Sequence, residues 1–105
     1  MLGIVSAALE GQGAVIVARL PIAETIAAIK SADAAMALVI VGPELPAVDR
    51  AMVLAAIAPL AVARAPRRLC ALDIGHHAAE ADVVAVARFL AGAKSTTGQV
   101  LVVGG

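Results

Sequence analysis

Two adjacent histidines, His76 and His77, are the residues of this sequence best suited to acid–base or metal chemistry. Asp73 precedes them and Glu80 follows. Imidazole titrates near neutral pH and binds zinc, so the group could form a general acid–base pair or a metal cluster. The simpler interpretation, which we favour, is a solvated loop whose acidic residues stabilise the start of a helix. No third ligand has a diagnostic spacing, so no metal site is predicted and the histidines stay weak candidates.

Three further positions, Arg19, Gly42 and Glu44, lie like Asp73 at or just beyond the ends of apolar runs. If those runs are parallel strands, their carboxyl ends meet at the edge where open α/β sheets bind ligands. We therefore name Arg19, Gly42, Glu44 and Asp73 as candidate cofactor-binding residues. For Arg19 an ordinary charge at the end of a strand is the simpler alternative, which we favour. No catalytic residue is assigned.

The run RAPRR, residues 64–68, contains three arginines in five positions. Such a cluster could bind a phosphate or an acidic partner. Arginines in this setting more often cap the carboxyl end of a helix and solvate a turn, and we favour that interpretation.

The elements that must position these residues are visible as an alternation of two patterns. Four runs rich in β-branched residues predict strands: AVIVARL (14–20), MALVIVG (36–42), RLCALDIG (68–75) and QVLVVGG (99–105). Most have continuous apolar centres, which is typical of strands buried on both faces of a parallel sheet.

Helices are predicted before and between the strands, over 3–13, 21–33, 44–65 and 80–93. In the second, Ile22, Ile26 and Ile29 share one face. The third is apolar almost all round, so one side should meet the sheet and the other a second subunit. Pro59 should kink or break it.

The alternation predicts one domain, residues 1–105, in the α/β class. We expect a three-layer Rossmann-like fold, with a mainly parallel sheet of about four strands and helices on both faces. Its crossovers should be right-handed.

The composition restricts the possible partners. Apolar residues make up 62% of the chain and charged residues 15%, with eight basic and eight acidic side chains. No basic field or aromatic platform is available for nucleic acid, so we expect no nucleic-acid binding. A small chain with this much apolar surface should share it, which predicts a homo-oligomer, a dimer or a tetramer.

The remaining features indicate a cytoplasmic protein. The single cysteine, Cys70, excludes an internal disulfide and is expected to be a buried apolar residue within a strand. The longest uncharged run, 51–63, is too short to span a bilayer, so no membrane association is expected. No basic segment typical of a signal peptide precedes the first apolar run.

The end of the chain, EADVVAVARFLAGAKSTTGQVLVVGG (80–105), resembles the carboxyl-terminal region of short-chain dehydrogenases/reductases. That family commonly ends in a helix D-V-A-x-A-V-x-F-L, a loop, and a strand T-G-Q-x-L-x-V-D-G-G. The matching positions are Asp82, Val83, Val86, Phe89, Leu90, Thr97, Gly98, Gln99, Leu101, Val103, Gly104 and Gly105. Residues 3–20, 36–42 and 50–75 are similar to earlier elements of the family, including its long interface helix.

Several family motifs are missing from this sequence. The T-G-x-x-x-G-I-G phosphate loop has no counterpart beyond Gly3-Ile4, and VIVGPE replaces the N-N-A-G turn. The catalytic Ser and the Y-x-x-x-K pair are absent, and the chain contains no Tyr. The Asp before the paired glycines is also missing. The central strand of the family's sheet is lost with the phosphate loop, so the remaining strands must close up or a partner must complete the sheet.

The resemblance therefore implies two hypotheses about function. The first is a catalytically inactive, reduced short-chain-dehydrogenase-like protein that self-associates or scaffolds, through the 44–65 helix and the 80–105 helix and strand. The alternative is an oxidoreductase-related protein that binds NAD(P) or another nucleotide at the carboxyl ends of the strands, in a site that two subunits could share. No cofactor is expected under the first hypothesis, and NAD or NADP under the second.

Overall fold

The computed structural model describes Val5 and residues 13–104. The strands of this part are Ala14–Val17 (β1), Met36–Val41 (β2), Arg68–Ile74 (β3) and Val100–Val103 (β4). The helices are Ile22–Ser31 (α1), Ala47–Arg64 (α2) and Glu80–Gly92 (α3). The predicted order of elements is confirmed, while the helix predicted over 3–13 lies outside the described residues apart from Val5.

All four strands pair in parallel, in the order β1-β2-β3-β4. β1 pairs directly with β2, with Val15 opposite Leu38. The strands therefore close up in sequence order rather than leaving a gap between β1 and β2. Every residue of β2 is buried, which explains its unbroken apolar sequence.

Helices cover both faces of this sheet, as predicted. One core joins Val39 of β2 to α1 and α2 through residues such as Ile29 and Ile57. The opposite core joins Leu38 of β2 to α3, with Val5 packed in the same cluster. Cys70 is fully buried within β3, as expected.

The connection from β3 to β4 through α3 has the opposite hand to the connections through α1 and α2. Successive strands step across the sheet in one direction, so crossovers on opposite faces have opposite hands. α1 and α2 lie on one face and α3 on the other. The prediction that all crossovers are right-handed is therefore wrong for at least one of them, although right-handed connections are the strong norm.

Pro59 does not break α2, which continues without interruption from Ala47 to Arg64. Proline removes the hydrogen bond that the carbonyl of Ala55, four residues earlier, would accept. Both residues are exposed on the outer side of the helix, where water can replace that bond. The predicted break is therefore wrong because the proline lies on the solvent side.

None of the helices described is long and apolar enough to cross a membrane.

The arginines of RAPRR cap helices, but not the helix that they follow. Arg64 is only 4% exposed and donates to the carbonyl of Ile29, in the last turn of α1, and to those of Ala32 and Ala34 just beyond it, at 2.6–3.2 Å. Burial lowers the pKa of its guanidinium, and the charge of Arg67 lowers that pKa further.

Arg68 caps the helix on the other face of the sheet. It donates to the carbonyls of Leu90, Ala91 and Ala93 at the end of α3, at 2.7–3.0 Å. The cluster therefore joins the ends of α1 and α3 to the start of β3, which confirms that these arginines cap helices. The expectation that they solvate a turn is wrong for Arg64, which is buried.

We expect Arg64→Met to lower the free energy of unfolding by about 2–4 kcal/mol, because buried carbonyls lose their donor. Arg67→Met is the matched control: its side chain is 38% exposed and makes a surface ion pair with Asp33 and one hydrogen bond, to the carbonyl of Ala32 at 2.9 Å, so a loss of about 1 kcal/mol is expected. Urea denaturation at fixed protein concentration, followed by far-ultraviolet circular dichroism, measures both. Equal losses in the two variants would contradict the role assigned to Arg64.

Candidate functional site

The carboxyl ends of β2, β3 and β4 border an open cleft of about 620 Å³. It is lined by Pro43, Leu45, Ala47, Arg50, Asp73, Gly75, His76, His77 and Val102. The cleft therefore lies at the edge of the sheet where the sequence predicts ligand binding.

Arg50 is the central side chain of this cleft, and sequence reasoning did not select it. Its Nη2 donates to the carbonyl oxygens of Gly42 at 2.6 Å and Ile74 at 3.2 Å. Its Nη1 forms an ion pair with Oδ1 of Asp73. A signal was present in the sequence: Arg50 falls on the same helical face as Val53 and Ile57, so its charge points toward the sheet.

Asp73 is therefore held by an internal partner. Its side chain is 23% exposed and that of Arg50 is 21% exposed, so water reaches both only in part. The charge of this carboxylate is neutralised by the guanidinium within the fold. As a cofactor-binding residue, Asp73 would have to contact the ligand while keeping this ion pair.

His76 and His77 follow β3 and line the same cleft as Asp73. Both imidazoles are exposed. Glu80, at the start of α3, is exposed and does not line the cleft. Within Val5 and residues 13–104, no three His, Cys, Asp or Glu side chains come together in a group that could hold a metal ion.

Arg19 and Glu44 line a neighbouring groove of about 380 Å³ rather than the main cleft. The backbone of Arg19 is fixed by Thr25, whose buried hydroxyl accepts from its N–H at 3.0 Å and donates to its carbonyl at 2.9 Å. Leu45 lines both cavities and separates the two groups. The structure thus places Asp73, His76 and His77 in one cavity. Arg19 and Glu44 lie in another, so the five candidate residues do not form a single site.

Gly42 is buried directly after β2 and lies beneath the carboxylate of Glu44. A Cβ at position 42 would first meet that carboxylate, which is the end of a flexible, exposed side chain and could move aside. In the fold that the resemblance implies, a dinucleotide would approach the backbone near this position. Here a negatively charged side chain occupies the space.

The described residues of this edge therefore fit a dinucleotide poorly. A pyrophosphate needs backbone N–H groups or free cations. Arg50, the arginine that lines the main cleft, is instead engaged by Asp73 and two carbonyls, and Glu44 places a carboxylate in the neighbouring groove. No binding step for NAD or NADP follows from these residues.

A double-mutant cycle tests the coupling of Arg50 to Asp73. We expect Arg50→Met to lower the free energy of unfolding by about 2 kcal/mol and Asp73→Asn by about 1 kcal/mol. The double variant should lose about 1 kcal/mol less than the sum, because the ion pair is counted in both single losses. Chemical denaturation measures the cycle, and Asp33→Asn, in the exposed pair with Arg67, is the control with little effect. Strictly additive losses would show that the two side chains act independently.

Comparison with known proteins gives the family of the chain. A family model described as SDR-like, short chain dehydrogenase-like protein, matches residues 4–103. The match extends the resemblance of residues 80–105 across nearly the whole sequence. Searches of curated proteins and of solved structures each returned no significant match. On the strength of the family match, the chain belongs to the short chain dehydrogenase-like family.

Proposed function

We propose that this chain is a catalytically inactive, reduced member of its family whose role is self-association or scaffolding. The observation that carries the proposal is the outer face of α2, which is exposed and entirely uncharged. The missing Tyr supports the absence of the family's chemistry, because the chain has no phenol to act as the family's catalytic Tyr. A cytoplasmic location is part of this proposal.

The outer face of α2 has the spacing of a helix that pairs with another helix. Val48, Met52, Ala55, Pro59 and Val62 follow one another at alternating intervals of four and three residues. Val48 is 72% exposed, Met52 55% and Val62 78%. The other exposed positions of this helix are all alanine. Contiguous apolar surface of this kind usually marks an interface.

The partner that fits this face best is a second copy of the chain. A two-fold dimer brings the same surface of both copies together, so the surface must be complementary to itself. An uncharged face meets this requirement without opposing like charges. Small side chains at its centre also allow two helices to approach closely.

The α3 and β4 region offers a second association surface, as the family resemblance implies. Phe89 is 66% exposed and Val102 63% exposed. The outer face of α3 also exposes Asp82 and Arg88, so it is less apolar than that of α2. Two surfaces on one chain would allow a tetramer built from dimers.

We expect Val62→Glu to convert the oligomer into a monomer, with a dissociation constant raised at least 100-fold. A buried, unpaired carboxylate opposes association, whereas the same side chain is solvated in the monomer. Light scattering coupled to size exclusion measures the mass. Ala27→Glu, on the exposed side of α1, is the matched control and should leave the mass unchanged. A monomeric wild-type chain at 100 μM would refute self-association through this face.

The alternative function, binding of NAD(P) or another nucleotide, is favoured by one observation. The cleft at the carboxyl ends of the strands has room for a small ligand and exposes His76 and His77 to it. The ion pair of Arg50 with Asp73 opposes this alternative for a phosphate-bearing ligand, because it engages the arginine that lines the cleft. The main proposal therefore remains the better supported one.

Calorimetric titration with NAD(H) and NADP(H) separates the two functions. Under the main proposal no saturable binding is expected up to millimolar concentrations, because no phosphate cradle is supplied by the described residues. Micromolar binding to a defined oligomer would favour the alternative. The paired substitution His76→Ala and His77→Ala should then weaken it, whereas unchanged binding would exclude the histidines from the site.

A further inference from the structure

We propose that the groove which holds Arg19 and Glu44 binds a small zwitterion, a free α-amino acid with an apolar side chain. The groove lies at the carboxyl ends of β1 and β2, apart from the cleft that holds Asp73, His76 and His77. The inference goes beyond the proposed self-association and does not depend on it. It also requires no nucleotide.

Two opposite charges line this groove. Arg19 follows β1 and Glu44 follows β2, and both side chains are exposed. Neither takes part in an ion pair within the described residues. The guanidinium is therefore available to a carboxylate and the carboxylate to an ammonium, both along one groove.

The backbone on both sides of the groove is held in place. The buried hydroxyl of Thr25 bonds both the N–H and the carbonyl of Arg19, at 3.0 and 2.9 Å. On the other side, the N–H of Leu45 donates to the carbonyl of Gly42 at 3.3 Å and closes the turn that carries Glu44. Only the ends of the two charged side chains must be ordered when a ligand binds, so the entropic cost of binding is small.

The rest of the groove is lined by apolar residues. Leu45 is buried, whereas Leu20 is 53% exposed and would lose contact with water beneath a ligand. The groove, of about 380 Å³, lies near the lower end of the range of about 300–1,000 Å³ that is typical of small-molecule sites. A ligand of the size of leucine, with a branched apolar side chain, suits this lining.

The two charges also determine which ligands are rejected. A phosphate or a simple carboxylate is attracted by Arg19 but repelled by Glu44, and an amine meets the opposite combination. A zwitterion satisfies both charges at once. The arrangement therefore discriminates against ligands that carry a single sign of charge.

Titration of the wild-type chain with L-leucine, followed by amide chemical shifts in NMR spectra, tests the inference. We expect saturable binding with a dissociation constant of about 10 mM or less, and the largest shift changes at residues 17–20 and 44–46. Two analogues each lack one charge: 4-methylpentanoate has no ammonium and 3-methylbutylamine has no carboxylate. Each should bind at least about tenfold more weakly, because one charge-assisted hydrogen bond is lost.

Variants assign the binding to the two charges. Arg19→Gln and Glu44→Gln should each weaken leucine binding at least about tenfold. Arg88→Gln and Glu80→Gln, which remove exposed charges from α3, are the matched controls and should leave it unchanged. The analogues test the unaltered chain, so the result stands even where a variant fails to fold.

Three results would overturn the inference. These are the absence of saturation by leucine up to about 50 mM, equal binding of an analogue with one charge, and shift changes confined to the cleft of Asp73. None of them bears on self-association, which is measured separately from the mass of the chain in solution.

Discussion

Backbone carbonyls at the ends of helices and strands need donors, and in this chain three arginines supply them. Arg50 joins the carboxyl ends of β2 and β3, Arg64 caps the end of α1, and Arg68 caps the end of α3. A guanidinium suits this task because its five donors diverge in one plane. These three of the eight basic side chains are therefore engaged by the backbone of the fold. The exposed positions of α2 carry no charge, although charged side chains such as Glu24, Lys30 and Arg88 remain exposed on the other helices.

Much of the fold could be predicted from sequence because its elements have strong patterns. The unbroken apolar run of β2 and the isoleucine stripe of α1 predict a buried strand and an amphipathic helix, and both are present. Sequence patterns did not predict that α2 continues through Pro59, nor that the connection through α3 has the opposite hand to the other two. Both depend on which side of an element faces solvent, and that is decided by packing between distant segments.

The sequence predicted the edge of the sheet at which the candidate site lies, but it did not predict which side chains contact one another there. Asp73, His76 and His77 lie together because they follow one another at the end of β3. The shared edge of a parallel sheet explains why Pro43, after β2, and Val102 of β4 line the same cleft. The separation of Arg19 and Glu44 from them depends on how Leu45 packs between two cavities. The partner of Asp73 depends on the rotation of α2 about its axis, which places Arg50 over the sheet. Both arrangements depend on packing in three dimensions, which leaves only a weak pattern in the sequence.

The sequential order of the strands has a consequence for how the chain acquires its structure. Each strand pairs with the one made immediately before it, and each pairing therefore spans one intervening helix and its loops. The entropy lost in closing a loop grows with the length of the loop, so pairing with the nearest strand in the sequence costs less than pairing with a more distant one. In a parallel sheet whose strand order is interleaved, a strand cannot pair with its neighbour until a more distant segment of the chain has been made. Here each new strand finds its neighbour already in place, so native pairing can advance along the chain in the order of synthesis.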